Sequence, residues 1–388
     1  MTSRLFEKFT LNNGKEVPSR LVVAPLTLFS SNPDGTINEG ERNYLKKRAT
    51  GVGMYILGAT GVSQDGLCFP GQPRAMTEKD LPSLEERAKI VKSQGALAIN
   101  QIHHAGCLAL KKYSEHDPLA PSAEAANETL KSMGQYTSEV KEFTDERIKE
   151  IINEFAVATE LSLRAGLDGI EFHAAHKYLF QQFYSQHFNK RTDDWGGSEE
   201  KRMNFPLQVV DACCKVREKY NRPDFIIGYR LSPEEPFEDG LTMTETLKLI
   251  KALETRPIQY IHVSQYDYFR KTRRGEGAGI ERLKVIHNEI KGKIALVGIG
   301  GLNTEKDINK ALDSQLSEFI AVGRASMINR ELGILLKENR GKEIEVEIDP
   351  EHPEIYCMPD ELWKMSIQGI SYFPPIKGKT FEGFKGDP

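Results

Sequence analysis

Eight short apolar runs, most of them separated by a helix-length amphipathic segment, limit this chain's folding options more than any other feature. They are Arg20–Leu26 (RLVVAPL), Met54–Ala59 (MYILGA), Leu97–Ile102 (LAINQI) and Gly169–His173 (GIEFH), followed by Phe225–Leu231 (FIIGYRL), Tyr260–Ser264 (YIHVS), Ala295–Gly300 (ALVGIG) and Phe319–Gly323 (FIAVG). Near-continuous apolar runs of this length suit parallel strands covered on both faces. Between them, Asp145–Ala165 carries Ile148, Ile151, Ile152, Phe155 and Ala158 at helical spacing behind a Thr144 N-cap. Glu199–Tyr220 and Thr242–Glu254 read the same way. Strand–helix alternation means an α/β fold, and eight units predict a closed (β/α)8 TIM barrel rather than an open sheet. The expected organisation is a barrel over residues 1–340 with an N-terminal cap. A C-terminal appendage over 341–388 is expected to pack on the barrel or at a subunit contact. Residues 103–143 read as a long, polar, loop-like insertion.

Charge and cysteine usage narrow the partners. Lys and Arg total 52 against 56 Asp and Glu, a net charge of −4. That balance provides no basic surface for nucleic acid or anionic membrane. The N-terminus has no signal-peptide run, and no uncharged apolar stretch reaches bilayer length. The 5 cysteines are scattered without CxxC spacing. The expectation is a soluble, cytoplasmic protein acting on a small molecule, with no nucleic-acid or membrane partner and with homo-oligomerisation left open.

In a barrel of this kind the functional face lies at the C-terminal ends of the strands. Those positions collect Pro25 and Thr27, Ala59, Gln101, His173 and His176, Arg230, Gly300 and Gly301, and Gly323 with Arg324. Together they include groups able to recognise a heterocycle, an anion and a carbonyl. The loops after the seventh and eighth runs, VGIGGLNT and AVGRAS, place glycines and a guanidinium where such barrels bind phosphate. Tight turns are the plainer explanation of those glycines. The HxxH of His173 and His176 admits three readings: metal ligands, core histidines, or two imidazole donors for a developing oxyanion. No third ligand or HExxH accompanies them, so no metal is expected. Tyr178 beside them is a suitable proton donor.

APLTLFS, QIHHAG, the PSA of 121–123, EFHAAHKYLFQQF, NKRTDDWGGS and the closing VGRA, in this order over roughly residues 5–340, resemble the signature set of the old yellow enzyme family. These are FMN-dependent NADH:flavin oxidoreductases and ene-reductases. The resemblance implies FMN reduced by NADH or NADPH, with hydride then passed to an activated alkene such as an enone or quinone. On matching positions it implies that Pro25, Thr27, Ala59 and Gln101 line the flavin. Arg230 would sit at its N1/C2 carbonyl edge, and Gly300, Gly301, Gly323 and Arg324 would hold the phosphate. The catalytic residues it implies are His173 and His176, binding the substrate carbonyl, and Tyr178, protonating the α-carbon. Arg191 and Asp193 are expected to brace their loop as an ion pair, with Ser198 capping the next helix.

The chain departs from the family in places. Lys177 stands where glycine is usual, and a solvent-facing lysine is the expectation. Cys107 replaces a common arginine, and Phe29 stands where some relatives carry tyrosine. Cys68, Cys213 and Cys214 are expected to be packing residues. Two other readings stay open: amine oxidation or N-demethylation on the same scaffold, for which Tyr266, Tyr268 and Phe269 would form an aromatic cage, and a phosphate-binding barrel without redox chemistry.

Overall fold

The structure is a computed structural model that describes residues 2–381. Each of the eight apolar runs contains a strand: β1 Leu21–Val23, β2 Met54–Gly61, β3 Leu97–His103, β4 Gly169–Ala174, β5 Ile226–Leu231, β6 Tyr260–Val263, β7 Ala295–Ile299 and β8 Phe319–Val322. They pair in parallel in chain order, and β8 returns to β1 to close the barrel. Closure leaves no edge strand, so every strand is covered on both faces, which is why each reads as a nearly unbroken apolar run. The register sets the site: Gln101 on β3 lies beside Glu171 on β4, His173 on β4 beside Arg230 on β5, and Arg230 beside His262 on β6. On β2 the register shifts between Leu57 and Thr60. Gly58 stands in that irregularity, where a Cβ would lie 2.0 Å from the Leu26 carbonyl oxygen. A close approach of that kind admits only glycine.

The outer helices follow the predicted segments with one break. Asp145–Arg164 is helical behind its Thr144 cap, and Met243–Glu254 follows Thr242 in a capping box. The predicted helix over Glu199–Tyr220 is two helices, Glu199–Arg202 and Asn204–Lys219. Pro206 has no N–H to continue the ladder toward Arg202, so the chain restarts there. Residues 103–143 are less loop-like than expected. They contain a helix over Ala123–Ser132 and a two-stranded pairing of Leu119–Ala120 with Lys141–Glu142. Arg191 donates to Asp193 at 2.5 Å and to the carbonyl oxygens of Pro121 and Phe143, and Ser198 caps the helix it precedes.

The segment after Gly341 packs on the barrel. Ile348 and Tyr356 are buried with Ile328, and Asn329 exchanges two hydrogen bonds with the backbone of Glu345. Buried Arg48 donates to the carbonyl oxygens of Tyr44, Ser326, Met327 and Tyr356, tying an early helix, the short helix after β8 and the appendage together. Residues 382–388 of the proposed appendage, and Met1, lie outside the described residues. No helix among the described residues is long and apolar enough to cross a membrane.

Candidate active site

A cavity of about 730 Å³ opens at the C-terminal ends of the strands. At one end, Gly300 and Gly301 follow β7 with φ of 137° and 66°, a region that favours glycine. A Cβ on Gly300 would lie 2.6 Å from the Asp267 carbonyl carbon, whereas one on Gly323 would meet nothing nearer than Leu26 Cδ2 at 3.8 Å. The first glycine allows two loops to touch, and the second leaves the cavity side clear. Arg324 follows directly, half-buried on the lining.

The floor is polar and buried. Glu171 accepts from Gln101 Nε2 at 2.7 Å and pairs with His262 Nδ1 at 2.9 Å, all three at most 1% exposed. Burial works to raise the Glu171 carboxyl, but His262 and Arg230 outweigh it and hold it below its ordinary value. Burial lowers Arg230, against the pull of Glu171, and its Nε is buried without a hydrogen-bond partner. Arg230 Nη2 donates to Ser264 Oγ at 3.1 Å, and the same hydroxyl meets His176 Nε2 at 2.7 Å.

The opposite wall is a cluster of rings. The ring of Tyr178 stands edge-on to His103 at 4.4 Å and to His173 at 4.9 Å, and His173 lies 5.0 Å from His176. Burial, reinforced by neighbouring cations and imidazoles, pushes His173 and His176 well below the ordinary histidine value. Burial takes His103 down to about 3. All three are neutral imidazoles near pH 7, able to donate a hydrogen bond without carrying charge. Burial and contact with Cys68 raise the Tyr178 phenol well above its usual value, so it stays protonated. Phe29, Phe69 and, from the appendage, Leu362, Tyr372 and Phe373 complete the wall.

Pro25, Thr27, His176, Tyr178, Arg230, Gly300, Gly301, Gly323 and Arg324 therefore meet on one cavity. Ala59, Gln101 and His173 stand behind its lining. The β2 irregularity sets Ala59 on a smaller recess with Thr27, Gln101 is drawn onto Glu171, and His173 is covered by its ring neighbours. Lys177 lines the cavity, half-buried, rather than standing out in solvent. Cys68 packs as expected, buried with Ala105 and Ala109 and with Tyr178 set against them. Tyr266, Tyr268 and Phe269 form no cage: Tyr268 is spent on Ser317 at 2.7 Å, Lys310 lies over Phe269, and Tyr266 alone of the three lines the cavity. Among the described residues no cluster of three or more histidine, cysteine or acidic side chains is placed to hold a metal.

Glu171 and His103 stand inside the motifs EFHAAHKYLFQQF and QIHHAG without being singled out there, and Ser264 belongs to none of the motifs. A charged residue inside a buried strand, two before His173 and so on the same face, was the available sign for Glu171. A larger recess of about 900 Å³ lies around Asp65 and Arg147. Its central pair is spent on itself: Arg147 donates to both oxygens of Asp65 at 2.9 Å, and His104 meets the same carboxylate at 3.1 Å.

A model of the NADH:flavin oxidoreductase / NADH oxidase family matches residues 4–343. A probable NADH-dependent flavin oxidoreductase of Bacillus subtilis (strain 168) is 36% identical over 95% of this chain and 97% of its own length. An NADH:acrylate oxidoreductase of Vibrio harveyi is 33% identical over 84% of this chain, which spans 32% of that longer protein. In fold, an old yellow enzyme homologue from Zymomonas mobilis superposes with a TM-score of 0.74 at 22% identity, covering 92% of this chain and 99% of that one.

Proposed function

The chain belongs to the NADH:flavin oxidoreductase / NADH oxidase family, the old yellow enzymes, and on that premise we propose that its rim cavity reduces activated alkenes. The coarse activity is that of the family: an FMN-dependent oxidoreductase that uses NADH or NADPH. When bound, FMN supplies a carrier that takes a hydride from the nicotinamide and gives it up to a second substrate.

The residues present fit that group. Arg230 Nε is a buried donor with no protein partner, and the Gly323 side of the cavity is clear of atoms a ligand would meet. Gly300, Gly301, Gly323 and Arg324 would hold the phosphate, with backbone N–H groups and a guanidinium. Pro25, Thr27 and Ala59 would line the ring system. Gln101 would meet the pyrimidine edge from its seat on Glu171, and Arg230 would place positive charge at the N1/C2 carbonyl edge.

His176, on the lining, and His173, set behind it with Nδ1 buried and unpaired, would donate to the substrate carbonyl as neutral imidazoles, stabilising negative charge as it develops on the oxygen. Ser264 holds His176 in place, because it is itself fixed by Arg230. Tyr178 would give its proton to the α-carbon as a hydride reaches the β-carbon. The double bond is thereby reduced by two electrons, which the dinucleotide supplies, and solvent at the cavity mouth restores the phenol proton. The observation that carries this reading is the meeting of His176, Tyr178 and Arg230 on the cavity that Gly323 and Arg324 also line. The named substrate of the Vibrio harveyi relative, an activated alkene, supports it.

The test is anaerobic and has two steps. The purified protein should show a bound-flavin spectrum that bleaches with NADH or NADPH, and an enone should restore the colour. In Tyr178→Phe, bleaching should persist while recolouring slows by about 10²-fold or more. Unchanged recolouring by a good enone would remove Tyr178 from the proton-donor role.

A further inference from the structure

The ring cluster around Tyr178 holds an unspent hydrogen-bond donor. Gln72 Oε1 accepts from the backbone N–H groups of Cys68 and Phe69, at 3.0 and 3.3 Å. That pairing fixes the side-chain amide, and its Nε2 meets His103 Nδ1 at 3.2 Å. An amide nitrogen only donates, so Nδ1 accepts. His103, held down to about 3 by burial, is neutral near pH 7 and carries a single ring proton, which therefore stands on Nε2. The side chain is fully buried, and its Nε2 has no hydrogen-bond partner among the described residues. A buried N–H without an acceptor is costly to keep.

Tyr178 is the ring nearest to it. The two centroids are 4.4 Å apart at 85°, against 5.2 Å to His173 and 5.9 Å to Phe69. With Nδ1 turned to Gln72, the far edge of the imidazole is the one left for these neighbours. An N–H set edge-on against an aromatic face is a weak hydrogen bond, with the positive end of the dipole on the electron-rich side of the ring. A proton-donating phenol gains from such a contact. Burial, then Cys68 and Tyr372, all raise the Tyr178 phenol, so the phenolate left after proton transfer is opposed by its surroundings. Part of its charge spreads into the ring, where a neighbouring N–H dipole stabilises it.

We propose that His103 is a positioning residue for the proton donor: its Nε2–H, set by Gln72, rests against the face of Tyr178, fixes that ring and stabilises the phenolate that forms as the α-carbon is protonated. The inference rests on the alkene-reduction reading above. No bond to His103 is made or broken. The proton passes from Tyr178 Oη to the α-carbon, and the hydride brings the electron pair to the β-carbon.

Two variants separate the dipole from the ring. His103→Phe keeps a ring and removes the N–H, whereas His103→Gln keeps an N–H and removes the ring. In anaerobic stopped flow, His103→Phe should slow recolouring by an enone about fivefold and enlarge its solvent deuterium isotope effect, while bleaching by NADH holds. His103→Gln should recover most of the rate. In a Tyr178→Phe background, His103→Phe should cause no further slowing, because the contact acts through the phenol. Nitrogen NMR of the histidine-labelled holoenzyme should show the His103 proton on Nε2, shielded by the phenol ring. Full recolouring in His103→Phe with slow recolouring in His103→Gln would reduce His103 to packing and overturn the proposal. So would a proton on Nδ1, or equal slowing of both half-reactions, which would place the donor on the flavin. If Tyr178→Phe itself recolours at the unmodified rate, the proton-donor reading has failed and this proposal with it. An unaffected His103→Phe beside an impaired Tyr178→Phe removes His103 alone.

Discussion

Tyr178 packs against the buried thiol of Cys68 on the wall of the cavity, and burial together with that thiol raises the phenol well above its usual value. Burial holds the Cys68 thiol well above its ordinary value, which keeps it a thiol and a poor nucleophile toward the electrophilic alkenes that pass beside it. Cys68→Ala removes the group packed against the Tyr178 phenol and should slow the alkene step about fivefold, the rate equivalent of about 1 kcal/mol, while leaving bleaching by NADH in place. Stopped-flow traces of the two half-reactions check this. Equal slowing of both would mean that the change reaches the whole cavity.

Ser264 joins His176 to Arg230, at 2.7 and 3.1 Å. Its removal leaves an imidazole free to rotate and a guanidinium short of one acceptor. Ser264→Ala should raise KM for an enone about tenfold with a smaller effect on kcat, since it disturbs a group that holds substrate before and during the reaction. Steady-state kinetics at saturating NADH distinguish this from general damage, which would lower the FMN content as well.

Glu171 is the negative centre of the floor. Glu171→Gln removes charge from between His262 and Gln101 and takes away the pull on Arg230, which should destabilise the protein by about 3 kcal/mol. It also makes the surroundings of the flavin more positive and so favours electron uptake. The midpoint potential should rise by about 30 mV or more, a tenfold change in a two-electron equilibrium. A fall in potential would show that a shift of Gln101 against the new amide outweighs the charge.

Three buried imidazoles give stability a defined response to acid. His103, His173 and His176 have folded values below the unfolded histidine value of about 6.5, so the unfolded chain binds protons first as pH drops. Stability is fully present above that value and falls as pH is lowered through it, by about 1.4 kcal/mol per pH unit for each imidazole, until the folded value is reached. For His103 that window runs down to about 3. Denaturant midpoints between pH 7 and pH 4.5 should decline steeply, and less steeply in His103→Gln. Identical slopes would mean that His103 titrates normally in the folded state.

Much of this was legible in the sequence because burial leaves a plain trace. A closed parallel barrel covers both faces of each strand, so all eight strands appeared as apolar runs, and the rim residues followed from their ends. The two-residue strands Leu119–Ala120 and Lys141–Glu142 are too short to show any period, so residues 103–143 read as loop. The break before Asn204 was marked by Pro206, yet the apolar spacing continued across it. Within the site, Tyr178 and His176 belong to a dense motif, whereas Cys68 and Ser264 meet them only through the fold. Sequence distance hides such partners, and only the barrel's closure brings them together.

The walls of the cavity come from opposite ends of the chain. Pro25 and Thr27 are translated more than three hundred residues before Tyr372 and Phe373. The barrel cannot close until β8 reaches β1, and Arg48 cannot complete its set of acceptors until Tyr356 has emerged. Translation therefore delivers a nearly complete barrel before it delivers a complete site. A chain ended at residue 340 would keep all eight strands and lose Leu362, Tyr372 and Phe373, so the barrel and the last wall of its cavity are separable by length alone.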